Sequence, residues 1–417
     1  MASFEITGGT KLSGKINVAG NKNSILPIMA ASLLTDQVCT LSNVPDISDV
    51  DIMGKLLQIA GAKVEKRKST VKITAQNLKE VQFPQNLTSK LRAAVVLLAP
   101  ILARLGKIKM GYPGGDIIGR RSLDSHIQVL TSLGAKFEND DNFITASTKG
   151  LKGAEIFLQE ASVTATENAL IAASAAQGQT VIKRAATEPH VVDLCQFLIK
   201  MGASIENIGT STLTVEGTNH LYGANHSIRP DHIEVGTFAI LAALSGGKIE
   251  ISPIVKEDLD MILLTLNGFG VKSKIEKDTL VVENSTLTSV EKVVTDIWPG
   301  FPTDLMAPMI VLATQAAGMT ILHDWMYESR MFFVDKLLSM GAKVEIADPH
   351  RVFVYGPTKL HGQKLDTPDI RAGMALVIAA LVAKGKSEIA RAELIERGYE
   401  DIIERLSTLG AKIQRIP

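Results

Sequence analysis

The chain has 417 residues and carries 44 Lys or Arg against 44 Asp or Glu, which leaves a formal net charge of zero at pH 7. A neutral chain has no global field that attracts nucleic acid or an anionic membrane surface, so any anion site must be local. The apolar runs are interrupted by Pro, Gly and charged residues, and the first residues form neither a basic segment nor a long apolar run. We therefore expect a soluble cytoplasmic protein of two or three domains.

A repeating pattern of predicted elements runs along the chain. Each repeat begins with an apolar run that predicts a buried helix, as at 92–103 and 373–383, and passes through a glycine into a short strand. A second helix with a mixed face follows, as at 332–340, and ends at a Gly-Ala-Lys-type stop. Two alternating segments then predict a hairpin, as at 342–346 and 351–355.

The stop glycine marks six repeats, because it recurs at intervals of 68 to 73 residues. The marker glycines are Gly61, Gly134, Gly202, Gly270, Gly341 and Gly410. Such regular spacing predicts a tandem array of six units. Six units divide into two groups of three, with boundaries near Ala19 and near Arg229. We expect one α/β lobe at 20–229 and a second, discontinuous lobe made of 1–19 and 230–417.

The two ends of the chain complement each other. The sixth repeat stops after one strand-like segment at 411–416, so its hairpin partner is missing. The segment 4–14 has the pattern of 353–362, which follows the turn of the fifth repeat. We therefore expect residues 1 to about 20 to pair with the last strand and close the array.

Cations stand at several of the predicted helix entries, namely Lys22, Arg92, Arg229 and Arg371. A cation there opposes the positive end of the helix dipole, so its repetition indicates a bound anion. Ser162, Asp304 and Asp369 occupy equivalent positions, and ordinary N-capping alone would explain these three.

A second set of polar segments follows the short strand of several repeats. The longest contains Pro-Gly-Gly, Asp116 and the adjacent pair Arg120 and Arg121. A glycine-rich loop with arginines is a weak signal by itself, and a surface turn is the default interpretation. Its coincidence with the cationic helix entries favours a functional site in one cleft between the lobes. His126 fits a packed histidine and a catalyst equally well.

The chain resembles the enolpyruvyl transferases through motifs spread over its whole length. These motifs are Gly-Asn-Lys-Asn at 20–23, Pro-Gly-Gly-X-X-X-Gly-X-Arg at 113–121, Arg-Pro-Asp-X-Ile-Glu-X-Gly-Thr at 229–237, Phe-Pro-Thr-Asp at 301–304, Asp-X-Arg-Ala at 369–372 and Arg-Gly-Tyr-Glu at 397–400. The resemblance implies a fold of two inside-out α/β lobes with three βαβαββ-type repeats each. Within the family, the motifs are most similar to the members that use a UDP-sugar acceptor.

The resemblance implies transfer of enolpyruvyl from phosphoenolpyruvate to the 3′-hydroxyl of UDP-N-acetylglucosamine with release of phosphate, the first committed step of peptidoglycan synthesis. The implied catalytic residues are Lys22, Asp116, Asp304, Asp369 and Arg397, with Asp304 as general base and Asp369 assisting proton transfer. The implied substrate-binding residues are Lys22, Asn23, Arg92, Arg121, Ser122, Leu123, Asp124, Ser125, Ser162, Val163, Asp304, Met326, Arg330, Arg371 and Arg397. No cofactor, metal, nucleic acid or membrane partner is expected, and the oligomeric state stays open, a monomer included.

One residue departs from the family pattern in a way that alters the chemistry. Asp116 occupies the loop position where members commonly carry the cysteine that is the proposed acid and the target of fosfomycin. A carboxylate is not a soft nucleophile, so we expect turnover without covalent inactivation. Its reference pKa of about 3.9 makes the acid role harder, unless burial, bound phosphate or lobe closure raises it. Thr164, Ser329, His190 and His232 are lesser departures.

Two alternatives remain on sequence grounds. A related enzyme class with the same six repeats uses shikimate 3-phosphate as acceptor, and a non-catalytic paralogue would only bind a UDP-sugar. The presence of Lys22, Asp304, Asp369 and Arg397 argues against the second. Cys39 and Cys195 stand in apolar settings and predict buried thiols in a reducing compartment.

Overall fold

The computed structural model describes residues 2–116, 118–119, 121–139 and 142–416. The chain divides into two compact units. The composite unit consists of Met1–Ala19, Asp116–Arg120 and Pro230–Pro417, and the inserted unit consists of Gly20–Gly115 and Arg121–Arg229. The segment Asp116–Arg120 therefore groups with the composite unit, whereas the sequence pattern placed all of 20–229 in one lobe.

The described residues form strands and helices in alternation. The strands are β1 (Ser3–Thr7), β2 (Gly14–Asn17), β3 (Cys39–Ser42), β4 (Lys63–Arg67), β5 (Thr70–Thr74), β6 (Gln82–Phe83), β7 (Lys107–Gly111), β8 (Lys136–Asn139), β9 (Phe143–Ser147), β10 (Glu155–Phe157), β11 (Gln179–Lys183), β12 (Ser204–Glu206), β13 (Thr212–Glu216), β14 (Asn225–Ser227), β15 (Lys248–Ser252), β16 (Lys272–Glu276), β17 (Thr279–Glu283), β18 (Lys292–Val294), β19 (Gly318–His323), β20 (Lys343–Asp348), β21 (Arg351–Gly356), β22 (Lys364–Asp366), β23 (Lys386–Ala390) and β24 (Lys412–Ile416). The helices are α1 (Lys22–Ala31), α2 (Ser48–Ile59), α3 (Gln85–Thr88), α4 (Leu98–Leu105), α5 (Asp124–Ser132), α6 (Val163–Ser174), α7 (Pro189–Lys200), α8 (His232–Leu244), α9 (Asp260–Gly268), α10 (Met306–Gln315), α11 (Val334–Ser339), α12 (Ile370–Val382) and α13 (Ile402–Thr408).

These strands form four-stranded sheets with one shared topology. In the inserted unit the strand orders are β14-β3-β5-β4, β6-β7-β9-β8 and β10-β11-β13-β12, and in the composite unit they are β16-β17-β15-β2, β18-β19-β21-β20 and β22-β23-β1-β24. Within each sheet one edge pair is parallel and the other pairs are antiparallel, as in β10 with β11 (Ile156↔Ile182) and β11 with β13 (Ile182↔Leu213). The parallel pair needs a helical crossover and the antiparallel pair needs only a turn, which confirms the predicted βαβαββ repeat.

The N-terminal strand completes the last sheet. β1 lies between β23 and β24, with Phe4 opposite Ile389 on one side and Arg415 on the other. The predicted closure of the array is confirmed for Ser3–Thr7. The next segment behaves differently, since β2 pairs in parallel with β15 and provides the first strand of another repeat.

The marker glycines end the second helix of every repeat by one hydrogen-bond pattern. Their φ angles are +97° at Gly61, +97° at Gly134, +105° at Gly202, +81° at Gly270, +96° at Gly341 and +96° at Gly410. After each glycine, the next N–H donates to the carbonyl five residues earlier, as Ala62 does to Leu57 at 3.0 Å and Ala411 to Leu406 at 3.0 Å. This is a Schellman cap, and its left-handed residue strongly favours glycine. The predicted helix stops are therefore confirmed.

The first helices of the repeats are buried on nearly every side, as their composition predicts. Every residue of α12 from Ile370 to Leu381 is buried, and α8 is buried from His232 to Ala243. Each unit packs its own apolar core around three such helices. The segment predicted as one helix from Arg92 begins instead as a 3₁₀ helix at Arg92–Leu97 and continues as α4. Within the described ranges, no helix is long and apolar enough to cross a membrane.

Candidate functional site

Asp304 of the composite unit lies between two buried arginines. Its Oδ1 is 3.1 Å from Arg330 Nη2, and its Oδ2 is 3.0 Å from Arg371 Nε. The carboxylate is 25% exposed, whereas the two guanidinium-bearing side chains are 3% and 6% exposed. Asp304 belongs to the 3₁₀ helix Thr303–Leu305 that precedes α10, and its side chain makes no cap. The simple capping interpretation is therefore wrong for Asp304, because both oxygens point to arginines.

The two arginines remain charged although they are buried. Burial disfavours the Arg330 cation, but the carboxylates of Asp304, Asp369 and Asp324 outweigh it and raise the Arg330 pKa. Burial likewise opposes the charge of Arg371, and its surroundings, Asp304 among them, again raise the pKa. An arginine stays protonated when it is buried, and nearby carboxylates offset the cost of removing its charge from water. Asp304 is thus both a partly open carboxylate and the counter-ion of the pair.

Arg371 is fixed by a second buried side chain. Its Nη1 donates to the hydroxyl oxygen of Tyr399 at 3.1 Å, and that hydroxyl lies 3.1 Å from Thr237 Oγ1. Tyr399 and Thr237 are fully buried. The guanidinium therefore has one orientation, set by Asp304 at one end and Tyr399 at the other.

Asp369 caps α12 and has an altered acidity. Its Oδ1 accepts hydrogen bonds from the N–H groups of Arg371 at 2.9 Å and Ala372 at 3.0 Å. Burial raises the pKa of the Asp369 carboxyl, and the nearby charge of Asp116 adds to the rise, while Arg330 and the two N–H donors oppose it. The capping interpretation is confirmed for Asp369. Burial, and not the cap, shifts this carboxyl toward its protonated form.

The loop residue Asp116 forms an ion pair with Arg397. Asp116 Oδ1 lies 2.7 Å from Arg397 Nη1, with side chains that are 19% and 15% exposed. The loop is held further along by a hydrogen bond from Ser329 N to Ile118 O at 3.1 Å. At Gly119, with φ at +142°, a Cβ would meet the Glu328 carboxylate at 2.5 Å. The neighbouring Arg120 lies outside the described residues.

Lys22 opens α1 in the inserted unit and lies against Asp49. Its Nζ is 3.2 Å from Asp49 Oδ2, and the Lys22 side chain is 15% exposed. Asn21 caps the helix, because its Oδ1 accepts from Asn23 N at 2.8 Å and from Ser24 N at 3.2 Å. The predicted cationic helix entry is therefore present, with a buried carboxylate as its neighbour.

The predicted substrate-binding stretch from Arg121 to Ser125 leads into α5, which begins at Asp124. Arg92 Nη2 donates to Ser122 O at 2.8 Å, and Ser122 Oγ donates to Asp124 Oδ2 at 2.6 Å. Ser125 Oγ lies 3.1 Å from a carboxylate oxygen of Glu160. Leu123 precedes the helix, and its carbonyl accepts from the N–H of the third residue of α5. Arg92 thus stabilises the turn that precedes α5 by its hydrogen bond to Ser122 O.

His126 is a packed, neutral histidine. Asn168 Oδ1 accepts from Ala99 N and Asn168 Nδ2 donates to Val95 O, which orients the amide so that Nδ2 also donates to His126 Nδ1 at 2.8 Å. His126 Nε2 therefore carries the proton and donates to Thr164 Oγ1 at 3.1 Å. Burial, with help from nearby arginines, lowers the His126 pKa to about 3. Of the two interpretations, the structure favours the packed one.

Ser162 caps α6, which begins at Val163 and carries the buried Glu167. Ser162 Oγ accepts from Ala165 N at 3.4 Å, which confirms its capping role. Burial raises the pKa of Glu167 well above its usual value, and the charge of Glu188 adds to the rise. Burial also raises the pKa of Glu188 to about 7.

Two further acidic residues were missed: Asp49 lies in the first turn of α2, and Asp324 directly follows β19. Asp49 lies against Lys22, and Asp324 accepts hydrogen bonds from Met326 N at 3.0 Å and from Thr295 Oγ1 at 3.2 Å. Arg229 donates its backbone N–H to a carboxylate oxygen of Asp193 at 3.2 Å.

The predicted site residues fall into two groups, one in each unit. The composite unit holds Asp116, Asp304, Met326, Arg330, Asp369, Arg371 and Arg397, and the inserted unit holds Lys22, Asn23, Arg92, Arg121, Ser122, Leu123, Asp124, Ser125, Ser162 and Val163. Their convergence on one cleft stays a prediction. Among the residues that the structure describes, no group of three or more His, Cys, Asp or Glu is arranged to hold a metal ion.

The sequence matches the family model of EPSP synthase (3-phosphoshikimate 1-carboxyvinyltransferase) over residues 6–406. Several curated relatives are similar over nearly their whole length. UDP-N-acetylglucosamine 1-carboxyvinyltransferase of Treponema denticola is 44% identical over 423 residues, covering 99% of each chain. The protein of the same name from Bradyrhizobium diazoefficiens is 46% identical, covering 99% of this chain and 98% of its own.

Solved structures show the same fold at lower identity. The enolpyruvyl transferase NikO from Streptomyces tendae superposes with a TM-score of 0.90 at 24% identity, covering 100% of this chain and 99% of its own. EPSP synthase from Acinetobacter baumannii superposes with a TM-score of 0.76 at 17% identity, covering 100% of both chains. The predicted α/β fold with two lobes of three repeats is confirmed by these neighbours and by the sheet topology.

Proposed function

We propose, from the premise that this chain belongs to the EPSP synthase (3-phosphoshikimate 1-carboxyvinyltransferase) family, that it transfers enolpyruvyl from phosphoenolpyruvate to the 3′-hydroxyl of UDP-N-acetylglucosamine. The choice of acceptor rests on the sequence identity of 44% and 46% to full-length relatives that are named for that reaction. The solved EPSP synthase shares only 17% of its residues with this chain. The reaction would be the first committed step of peptidoglycan synthesis.

This reaction includes three proton transfers. The acceptor hydroxyl loses its proton while its oxygen bonds to C2 of phosphoenolpyruvate, and C3 gains a proton to give a tetrahedral ketal. The bond from C2 to the phosphate oxygen then breaks, and C3 loses a proton to restore the double bond. The protein must therefore supply a base for the hydroxyl, an acid for C3 in the addition, and a base that takes the C3 proton in the elimination.

Asp304 is suited to the role of base. Its carboxylate is the partly open end of an otherwise buried charge cluster, and the Arg330 and Arg371 cations fix both oxygens. A fixed carboxylate can meet the hydroxyl in one geometry, which lowers the entropic part of the barrier. The same cations stabilise the negative charge that develops on the attacking oxygen.

Asp116 and Asp369 share the acid role in this proposal. Asp116 Oδ1 is engaged by Arg397 Nη1 in an ion pair at 2.7 Å. Burial raises the pKa of Asp369, and the two carboxylates interact electrostatically. Asp369 is therefore suited to hold the proton, with Asp116 or the substrate phosphate passing it to C3.

The cations play unequal parts in binding the phosphoenolpyruvate anion. Arg371 already donates through Nε to Asp304 and through Nη1 to Tyr399, and it adds positive charge to the site. Lys22 and Arg397 are both partly exposed and can exchange their carboxylate partners for substrate oxygens. In the inserted unit, the stretch from Arg121 to Ser125 and the start of α6 would hold the UDP-sugar.

The test is release of inorganic phosphate by the purified protein. We expect phosphate when phosphoenolpyruvate and UDP-N-acetylglucosamine are both present, and none when either is omitted. Activity with shikimate 3-phosphate in place of the UDP-sugar would contradict the proposed acceptor. Binding of UDP-N-acetylglucosamine without any phosphate release would instead support the non-catalytic paralogue.

A cytoplasmic location is part of this proposal. Cys39 and Cys195 are free, and both are buried. Free thiols are typical of a reducing compartment. The small-molecule substrates are the only partners that the proposal requires.

A further inference from the structure

Asp324 is a fully buried carboxylate directly after β19. Its oxygens accept hydrogen bonds from Thr295 Oγ1 at 3.2 Å, Met326 N at 3.0 Å, Tyr327 N at 3.3 Å and Thr303 Oγ1. Arg330 Nε lies 3.7 Å from Asp324 Oδ2 and has no hydrogen-bond partner among the described residues, so their attraction is electrostatic. A buried charge with this many donors holds its surroundings rigidly.

Two separate paths connect Asp324 to Asp304. The first runs through Thr303, which donates to Asp324 Oδ2 and is the neighbour of Asp304 in the 3₁₀ helix Thr303–Leu305. The second runs through Arg330, whose Nη2 binds Asp304 Oδ1 at 3.1 Å. One path fixes the backbone that carries the Asp304 carboxylate, and the other fixes the cation that orients it.

We propose that Asp324 is the positioning residue that sets the Asp304 carboxylate for the acceptor hydroxyl, a role that rests on the proposed function of Asp304 as base. The same carboxylate binds the N–H of Met326, a predicted contact of the UDP-sugar. Asp324 thus fixes the position of Asp304 and that of Met326 relative to each other. A displacement of about 1 Å at a reacting group can cost up to about 100-fold in rate, so the position in which Asp324 holds Asp304 affects turnover directly.

Two threonines provide a matched pair of variants. Thr303→Val and Thr295→Val each remove one hydroxyl that donates to Asp324 and keep the shape of the side chain. Only Thr303 is adjacent to Asp304. We expect Thr303→Val to lower kcat about tenfold with little change in the KM for phosphoenolpyruvate, and Thr295→Val to keep kcat within about twofold.

Stability and rescue separate positioning from a purely structural role. Both valine variants are expected to unfold at lower urea concentration by similar amounts, because each leaves the buried carboxylate with one donor fewer. Thr303→Ser restores the hydroxyl and should recover most of kcat. Equal kcat values for the two valine variants, measured per folded enzyme, would overturn the proposal, as would a Thr303→Ser variant as slow as Thr303→Val.

A structural readout keeps this test independent of the proposed function. If the wild-type protein releases no phosphate, or if Asp304→Asn is as active as wild type, the proposed reaction or the role of Asp304 fails. The positioning claim is then decided by a crystal structure of Thr303→Val. We expect the Asp304 carboxylate to move away from Arg330. If the distance from Asp304 Oδ1 to Arg330 Nη2 stays at about 3 Å, which is the length of an ordinary ion-pair hydrogen bond, the claim is overturned.

Discussion

Asp116 Oδ1 lies 2.7 Å from Arg397 Nη1, so the loop aspartate neutralises an arginine that the family resemblance assigns to phosphoenolpyruvate. A cysteine thiol at the same position would place no permanent charge there. Under the proposed function, the substrate anion would have to displace an anion that belongs to the protein. We expect this internal competition as a consequence of Asp116.

Asp116→Asn is expected to tighten binding of phosphoenolpyruvate, because it removes the competing charge and keeps the size of the side chain. The ion pair is only partly buried, so we expect the Kd to fall about fivefold. Equilibrium binding is the appropriate measurement, since the same change removes a proposed proton donor and lowers turnover. Asp335→Asn, at an exposed position of the composite unit, is the control and should leave the Kd unchanged.

Fosfomycin is expected to leave the wild-type protein unmodified. The carboxylate of Asp116 is a poor nucleophile towards an epoxide compared with a thiolate. The two thiols of the chain do not replace it, because both are buried and burial raises the pKa of Cys195 to about 12. Intact-mass measurement after incubation checks this, with Asp116→Cys expected to gain one stoichiometric adduct. An adduct at Asp116 of the wild type would contradict the prediction.

Asp304→Asn is expected to affect both turnover and stability. Loss of the base should lower kcat about 100-fold or more. Loss of the charge leaves Arg330 and Arg371 with less compensation, which should lower the free energy of unfolding by about 2 kcal/mol after allowance for the 25% exposure of the carboxylate. Urea unfolding and phosphate release measure the two effects. A variant with normal turnover would show that another group removes the hydroxyl proton.

Glu188→Gln is expected to stabilise the protein at high pH. Burial raises the Glu188 pKa from 4.5 to about 7, so between these values the unfolded state releases a proton that the folded state retains. The wild type therefore loses stability as pH rises through this window, and the glutamine variant does not. Above pH 7 the variant should be more stable by about 1 to 3 kcal/mol, and below pH 4.5 the two should be equal.

Urea unfolding across that pH range provides the measurement. Glu80→Gln, at an exposed position of the same unit, serves as the control and should show no such pH-dependent gain. A Glu188→Gln variant whose advantage does not grow between the two pH values would contradict the assignment of a protonated Glu188.

Local patterns predicted the repeats correctly because their causes are local. A glycine that follows a helix with φ near +97° ends that helix through contacts within a few residues. An apolar run such as 373–383 is buried because of its own composition. Capping by Ser162 and Asp369 was predicted for the same reason, since the acceptor and the N–H groups are neighbours in sequence. At Asp304 this reasoning failed, because partners 26 and 67 residues away compete for the carboxylate.

By itself the sequence determined the six βαβαββ repeats, the place of the first strand beside the last, and the family, because helix stops, strand alternation and motif residues depend on near neighbours in the chain. Only the tertiary structure decided the ionic partners: Asp304 with Arg330 and Arg371, Asp116 with Arg397, and the buried Asp324 behind them. Charge pairing acts through space over a few ångströms, and burial sets its strength. Neither quantity is visible in the order of the residues.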